Sequence, residues 1–272
     1  MTSTDDGYFH AHGARLRFRD QGEGPAVVLL HGWTLDLEIW EPQASGLARG
    51  LRVIRPDRRG FGLSTGTPDA AADTTDLEAL LDHLRVAQAA LVGMSQGARA
   101  ALAFALRHPG RVPALVLDGP PGAAAGLATG GGDDYSFDEF RRLAQSAGLD
   151  AFRDAWRGHP LMRLQAGDAG ARELLARVLA RYPGRDLLAG APAPAPALAP
   201  AALGGLAMPV LVVNGELDTQ RRLLAGDHLC RVLPRAERAL VPGAGHLANL
   251  DNPAAYNEVI RSFLRRQSRV AA

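Results

Sequence analysis

Residues 89–104 read Ala89-Ala90-Leu91-Val92-Gly93-Met94-Ser95-Gln96-Gly97-Ala98-Arg99-Ala100-Ala101-Leu102-Ala103-Phe104. The apolar run up to Val92, without polar alternation, suits a strand buried on both faces, and the alanine-rich run after Gly97 suits a helix. Between them stands a serine with a glycine two places to either side. A strand, a sharp turn and a helix start lift a serine hydroxyl clear of the sheet and bring unpaired helix N–H groups beside it. Flanking glycines leave room for the turn. The same pattern recurs as Gly62-Leu63-Ser64-Thr65-Gly66, but after the charged loop Pro56-Asp57-Arg58-Arg59-Gly60-Phe61 and before Thr67-Pro68-Asp69. With neither a strand before it nor a helix after it, Ser64 lacks the context. Ser95 is the candidate nucleophile.

Outward from this stretch, short Val- and Leu-rich runs alternate with helical patterns, which predicts a parallel sheet covered on both faces. The expected strands are Ala26–Leu30, Leu51–Ile54, Ala89–Val92, Ala114–Leu117, Val210–Val213 and Arg238–Val241. Tyr8–Ala11 and Arg15–Arg19, split by His12-Gly13-Ala14, predict an antiparallel hairpin at a sheet edge. Helices are expected over Thr74–Arg85, opened by Asp73, and over Ala98–Arg107, Arg221–Val232 and Pro253–Arg265, the last capped by Asn252. The rhythm breaks at 119–203. That stretch opens with the glycine-rich PPGAAAGLATGGGDD, closes with APAPAPALAP, and holds helical patterns near Phe137–Ala147, Ala151–Trp156 and Ala171–Arg181. It reads as a helical cap inserted into a core made of 1–118 and 204–272.

A serine hydroxyl needs a base. Of eight histidines, His246 stands on the loop Val241-Pro242-Gly243-Ala244-Gly245-His246-Leu247 just past the last strand. His83, His108, His159 and His228 fall in or beside helical patterns, where packed or solvated roles are expected, and His10 and His12 fall in the hairpin. The imidazole in turn needs a carboxylate to fix its tautomer. Asp218, in Asn214-Gly215-Glu216-Leu217-Asp218-Thr219, follows one strand, and Asp118 follows the neighbouring one, so either could serve. Glu216 and Asp251 read as surface or helix-capping residues. An oxyanion would be met by the backbone N–H of Gln96 and by that of Trp33, in the turn His31-Gly32-Trp33-Thr34. Phe137, Phe140, Trp156, Leu161 and Met162 offer an apolar ceiling to a substrate pocket, although at helical spacing each also suits packing.

Composition narrows the classes further. The 272 residues carry 30 basic and 29 acidic side chains, a formal charge of +1, without a basic tract for nucleic acid or a polybasic membrane anchor. All 30 basic residues are arginine, which excludes a Schiff-base lysine and a Gly-Lys-Ser/Thr phosphate loop. The single cysteine, Cys230, cannot form an internal disulfide, and no CxxC or CxxH pattern suggests a metal site. Neither a secretory pattern at the start nor an apolar run long enough to span a bilayer is seen, so a cytoplasmic protein is expected.

The set HGW at 31–33, PDRRGFGLS at 56–64, GMSQG at 93–97, GELD at 215–218 and GAGH at 243–246 resembles the α/β-hydrolase fold family along nearly the whole chain. The resemblance implies an eight-stranded, mostly parallel sheet with a cap after the sixth strand, a Ser95-Asp218-His246 triad, an oxyanion hole at Trp33 and Gln96, and neither cofactor nor metal. It gives the Asp57-Arg58-Arg59-Gly60 turn a structural role. The closing PGAGHLANLDNPAAYNEVIRSFL is similar to enol-lactonases and small esterases. The expected activity is hydrolysis of a small, mostly apolar ester or lactone through an acyl-enzyme. Alternatives on the same triad are carbon–carbon bond hydrolysis, thioester hydrolysis and perhydrolysis of the haloperoxidase kind, and outside catalysis a slow-turnover small-molecule receptor. The expected partner is a small molecule, with nucleic acid and membrane excluded and homo-oligomerisation left open.

Overall fold

A computed structural model describes residues 6–122, 134–189 and 200–270. Its strands are β1 (Gly7–Ala11), β2 (Ala14–Gln21), β3 (Ala26–Leu30), β4 (Arg52–Pro56), β5 (Ala90–Met94), β6 (Leu115–Asp118), β7 (Val210–Gly215) and β8 (Ala236–Val241). The helices are α1 (Glu41–Leu47), α2 (Ala72–His83), α3 (Gln96–Arg107), α4 (Phe137–Arg157), α5 (Ala169–Arg181), α6 (Arg185–Leu188), α7 (Pro200–Leu203), α8 (Gln220–Val232), α9 (Ala248–Asp251) and α10 (Pro253–Val270). The strands form one sheet in the order β1-β2-β4-β3-β5-β6-β7-β8. From β4 to β8 all neighbours run parallel, while β2 is antiparallel to both β1 and β4.

Strand periodicity sorts the core into two layers. Val27, Leu29, Val92, Met94, Val116 and Val213 face one way and join residues of α1, α10, α4 and α5. Val28, Leu30, Leu91, Leu115, Leu117 and Val212 face the other way and join α2, α3 and α8. The first layer runs on without interruption into Phe152, Trp156, Leu161 and Leu175, so the helices between β6 and β7 share their apolar core with the sheet. Chain direction reverses around β3, whose sequence successor β4 lies on one side and β5 on the other. Ligands of open α/β sheets bind at the carboxyl ends of strands at such a reversal. Both His31-Gly32-Trp33 and Ser95 stand there.

Several expectations shift by a few residues. The hairpin turns at His12 and Gly13, both at positive φ (47° and 75°), the backbone of a tight two-residue connection. Helix α2 begins at Ala72, before Asp73, whose carboxylate does not cap it and instead pairs with Arg58 at 2.8 Å. The two helical patterns at 137–156 form one element broken at Gly148, where φ 89° and ψ 167° leave the helical region. Asn252 does cap α10, accepting from Ala255 N–H at 3.2 Å. Most of the glycine-rich loop (123–133) and nearly all of the proline-rich connector (190–199) lie outside the described residues. No helix among the described residues is long and apolar enough to cross a membrane.

Candidate active site

Ser95 sits at φ 53° and ψ −117°, a region that costs a non-glycine residue about 1–3 kcal/mol. Close approach on both sides holds it there. A Cβ on Gly93 would fall 2.2 Å from the carbonyl oxygen of Gly97, and one on Gly97 would fall 2.2 Å from that of Leu30 in β3. The helix start is pressed against two strand ends, and only glycine fits. Ser95 N–H donates to the Asp118 carbonyl at 2.7 Å, which ties the turn to β6.

His246 stands on the loop after β8, at the same carboxyl edge of the parallel strands as Ser95. Its Nδ1–H donates to Asp218 Oδ1 at 3.1 Å and Oδ2 at 3.2 Å, which leaves Nε2 as the basic nitrogen. Asp218 also accepts from Asn214 Nδ2 at 2.7 Å and Thr219 N–H at 2.7 Å. Burial pushes its pKa up, but the imidazole and these donors outweigh that, so the carboxyl lies below its usual range. The two loops are joined by Leu217 N–H donating to the Ala244 carbonyl at 2.8 Å. Gly119, at φ 51°, passes so close that a Cβ would meet His246 Cε1 at 2.6 Å.

Asp118 lies at the end of β6 and does not contact the imidazole. It accepts from the Tyr256 hydroxyl at 3.0 Å, and complete burial pushes its pKa well up. Of the two acids open in the sequence, Asp218 is the one beside His246. Ser64 is fully buried, donating to the Asp57 carbonyl at 2.8 Å and accepting from Arg17 N–H at 2.9 Å. Asp251, expected at the surface or on a helix cap, is instead buried. Its Oδ1 accepts from the N–H groups of Gln165, Ala166 and Gly167 at 2.7–3.0 Å, and its Oδ2 accepts from Gly245 N–H at 2.8 Å. It thus pins the His246 loop to the segment after Met162.

Gly32, Trp33, Leu35, Met94, Ser95, Tyr135, Trp156, Leu161, Met162 and His246 line one small cavity of about 10 Å³, close to the space of one water. Trp156, Leu161 and Met162 are on its wall. Phe137 and Phe140 pack behind it, with ring centroids 5.6 and 6.2 Å from that of Trp33. Leu35, Met94 and Tyr135 had no sequence signal beyond their apolar character. His159 stacks on Trp156 at 4.8 Å, and burial holds its pKa below the usual value. Gln96 N–H belongs to the first turn of α3, which has no partner within the helix, and Gly32 is placed so that a Cβ would touch Ser95 Cβ at 3.4 Å. The Gly32–Trp33 turn is braced by His31, whose Nδ1–H donates to the Gly32 carbonyl at 2.8 Å while Nε2 accepts from Arg58 N–H at 2.9 Å. Burial, with the nearby Arg58 charge, holds the His31 pKa down to about 3.

The family model for the alpha/beta hydrolase fold matches residues 25–253. This chain belongs to the alpha/beta hydrolase fold family. A pimeloyl-[acyl-carrier protein] methyl ester esterase of Aromatoleum aromaticum is 33% identical over 89% of this chain and 98% of its own. A 2-hydroxymuconate semialdehyde hydrolase of Pseudomonas sp. is 32% identical over 93% of this chain and 92% of its own. The solved enol-lactonase of Burkholderia xenovorans superposes with a TM-score of 0.76 at 25% identity, covering 95% of this chain and all of that one. Fold and relatives together make this alpha/beta hydrolase a hydrolytic enzyme.

Proposed function

We propose that the protein is a carboxylic ester or lactone hydrolase in which Ser95, His246 and Asp218 act as a catalytic triad. The observation that carries the reading is that Ser95, on its strained turn, and His246, buttressed by an ionised Asp218, line the same cavity. Ser95 Oγ attacks the substrate carbonyl as His246 Nε2 takes its proton. The backbone N–H groups of Trp33 and Gln96 receive the oxyanion. His246 then protonates the leaving alcohol, and water activated by the same imidazole releases the acyl group from Ser95.

The substrate is a small, mostly apolar molecule, for which α4, α5 and α6 form a cap over the site. Among the described residues no arginine lines the cavity, which favours an uncharged ester or lactone over a substrate anchored by a carboxylate. Arg141, one of the arginines of this segment, pairs outward with Asp138 at 3.0 Å. Carbon–carbon bond hydrolysis is the second reading, supported by the likeness to the semialdehyde hydrolase.

The test is the steady-state rate on p-nitrophenyl esters from acetate to decanoate and on simple lactones, with Ser95→Ala alongside. Sustained turnover lost in the variant is expected. Slow turnover of esters and lactones, with rapid cleavage of a dienoic diketone, would move the assignment to the second reading, and a single burst would move it to a receptor.

A further inference from the structure

The turn that would receive the oxyanion is held by more than His31. Thr34 has φ 63°, a left-handed conformation that a β-branched residue adopts only under constraint. Its hydroxyl donates to the Trp33 carbonyl at 2.6 Å and accepts from Trp156 Nε1–H, on α4, at 2.8 Å. The neighbouring Trp33 indole is held as well. Its Nε1–H donates to Asp186 Oδ2, on α6, at 2.7 Å, and the other oxygen of Asp186 accepts from the Tyr182 hydroxyl. Burial and the Asp186 charge push the Tyr182 phenol well above its usual pKa, so it remains a donor. Trp33, Thr34, Trp156 and Asp186 are all buried. Two adjacent residues of one turn are therefore gripped by two helices lying 122 and 153 residues further along the chain.

We propose that Asp186 and Trp156 are positioning residues through which α6 and α4 hold the Trp33–Thr34 turn in its oxyanion-binding conformation, so that the site is complete only while these helices are seated on it. The proposal rests on the reading of Ser95 as nucleophile. Its chemical logic is that the Trp33 N–H can be aimed only if the backbone on its carboxyl side stays in a conformation that Thr34 would otherwise leave. Trp156 also lines the cavity beside Ser95, so the seating of α4 joins one wall of the substrate space to the turn that carries the donor.

The experiment compares wild type with Asp186→Leu, which leaves the Trp33 indole N–H without an acceptor, Trp156→Phe, Trp33→Phe and the double variant Trp33→Phe/Asp186→Leu. Three quantities are read on the folded fraction: the second-order rate of Ser95 labelling by a small alkyl fluorophosphonate, kcat and KM on the best ester of the panel, and inhibition by an alkylboronic acid. Labelling forms the Ser95 Oγ–phosphorus bond and expels fluoride through an anionic centre, so it draws on the same donors without depending on the natural substrate. Each of the two positioning variants is expected to lose about 10–100-fold in labelling rate and kcat, with boronate affinity falling in parallel and KM nearly unchanged. The double variant is expected to lose no more than its worse single, because both substitutions remove one bond. A fall in melting temperature with wild-type labelling and kcat would overturn the proposal, as would additive losses for its Asp186 half. Absence of labelling and turnover in the wild type itself would instead overturn the nucleophile reading, and the grip on the turn would have nothing to serve.

Discussion

The chain contains two Gly-x-Ser-x-Gly segments, and they have almost nothing in common in space. At 62–66 the serine is sealed into the loop after β4, with its hydroxyl donating to one backbone carbonyl and accepting from one backbone N–H. Ser95 bridges a strand and a helix at a positive φ, and both its glycines are pressed against backbone oxygens 2.2 Å from where a side chain would begin. The first segment saturates its serine. The second strains it and leaves the hydroxyl at a cavity. What separates them is the element on either side, since the five-residue pattern is the same in both.

Exchanging the serines gives the sharpest contrast. Ser95→Ala should lower turnover by roughly 10⁶-fold with little change in melting temperature. Ser64→Ala should keep the rate within a few-fold but lose about 1–3 kcal/mol of stability, because two buried backbone groups are left without a partner. Denaturant unfolding and the ester assay on both proteins decide it, and a rate lost with Ser64 would reverse the assignment. The acids follow. Asp218→Asn should cost roughly 10³–10⁴-fold in kcat by disturbing the imidazole tautomer. Asp118→Asn, which touches Tyr256 and not His246, should leave kcat within a few-fold. A larger loss from Asp118→Asn would make it the working acid.

The glycines should differ in the same sense. Gly97→Ala must move backbone at the elbow, so little folded protein is expected. Gly66→Ala at φ 87° meets only contacts of 3.2–3.3 Å and should cost about 1–2 kcal/mol. A pH-dependent effect concerns the joint between the two segments, since His31 accepts from Arg58 of the first loop and donates to Gly32 beside the second serine. Folded His31 stays neutral down to about pH 3, while the unfolded chain takes up its proton near the usual 6.5. Stability from this group is therefore full above 6.5 and is lost as pH falls towards 3, by up to on the order of 3–5 kcal/mol. A His31→Gln variant should show a shallower decline of unfolding free energy across that window, and parallel curves would mean that the ring is hydrated in the folded state.

The sheet and the elbow were legible because their causes are local. Apolar runs at 26–30, 89–92 and 210–213 read as buried strands without knowledge of their neighbours, and glycine spacing marks the elbow. The choice between Asp118 and Asp218 was not legible. Both end adjacent strands, and only the path of the His246 loop across the β7 end brings one carboxylate to the imidazole. Asp251 was missed because its partners are backbone N–H groups, which any sequence provides, and three of them lie 84–86 residues away. Asp73 looked like a helix cap because Arg58, which takes its carboxylate, is not a local neighbour. Tyr135 and Leu35 reach the cavity through the packing of α4 onto the turn after β3, and no periodicity in the chain encodes that.

Asp251 has a further consequence for anyone who would recombine this enzyme. One carboxylate clasps the loop that bears the histidine with one oxygen and three consecutive N–H groups of residues 165–167 with the other. A donor segment grafted between β6 and β7 would therefore have to present a similar nest of amides at that point, whatever pocket it brought along. Chimeras that omit the nest would leave one oxygen of a buried carboxyl group without its donors beside the His246 loop, and the damage would look like a faulty specificity when it was a fault of the joint. The portable unit for shuffling is the inserted segment together with its Asp251 contact, and the natural place to cut lies outside both.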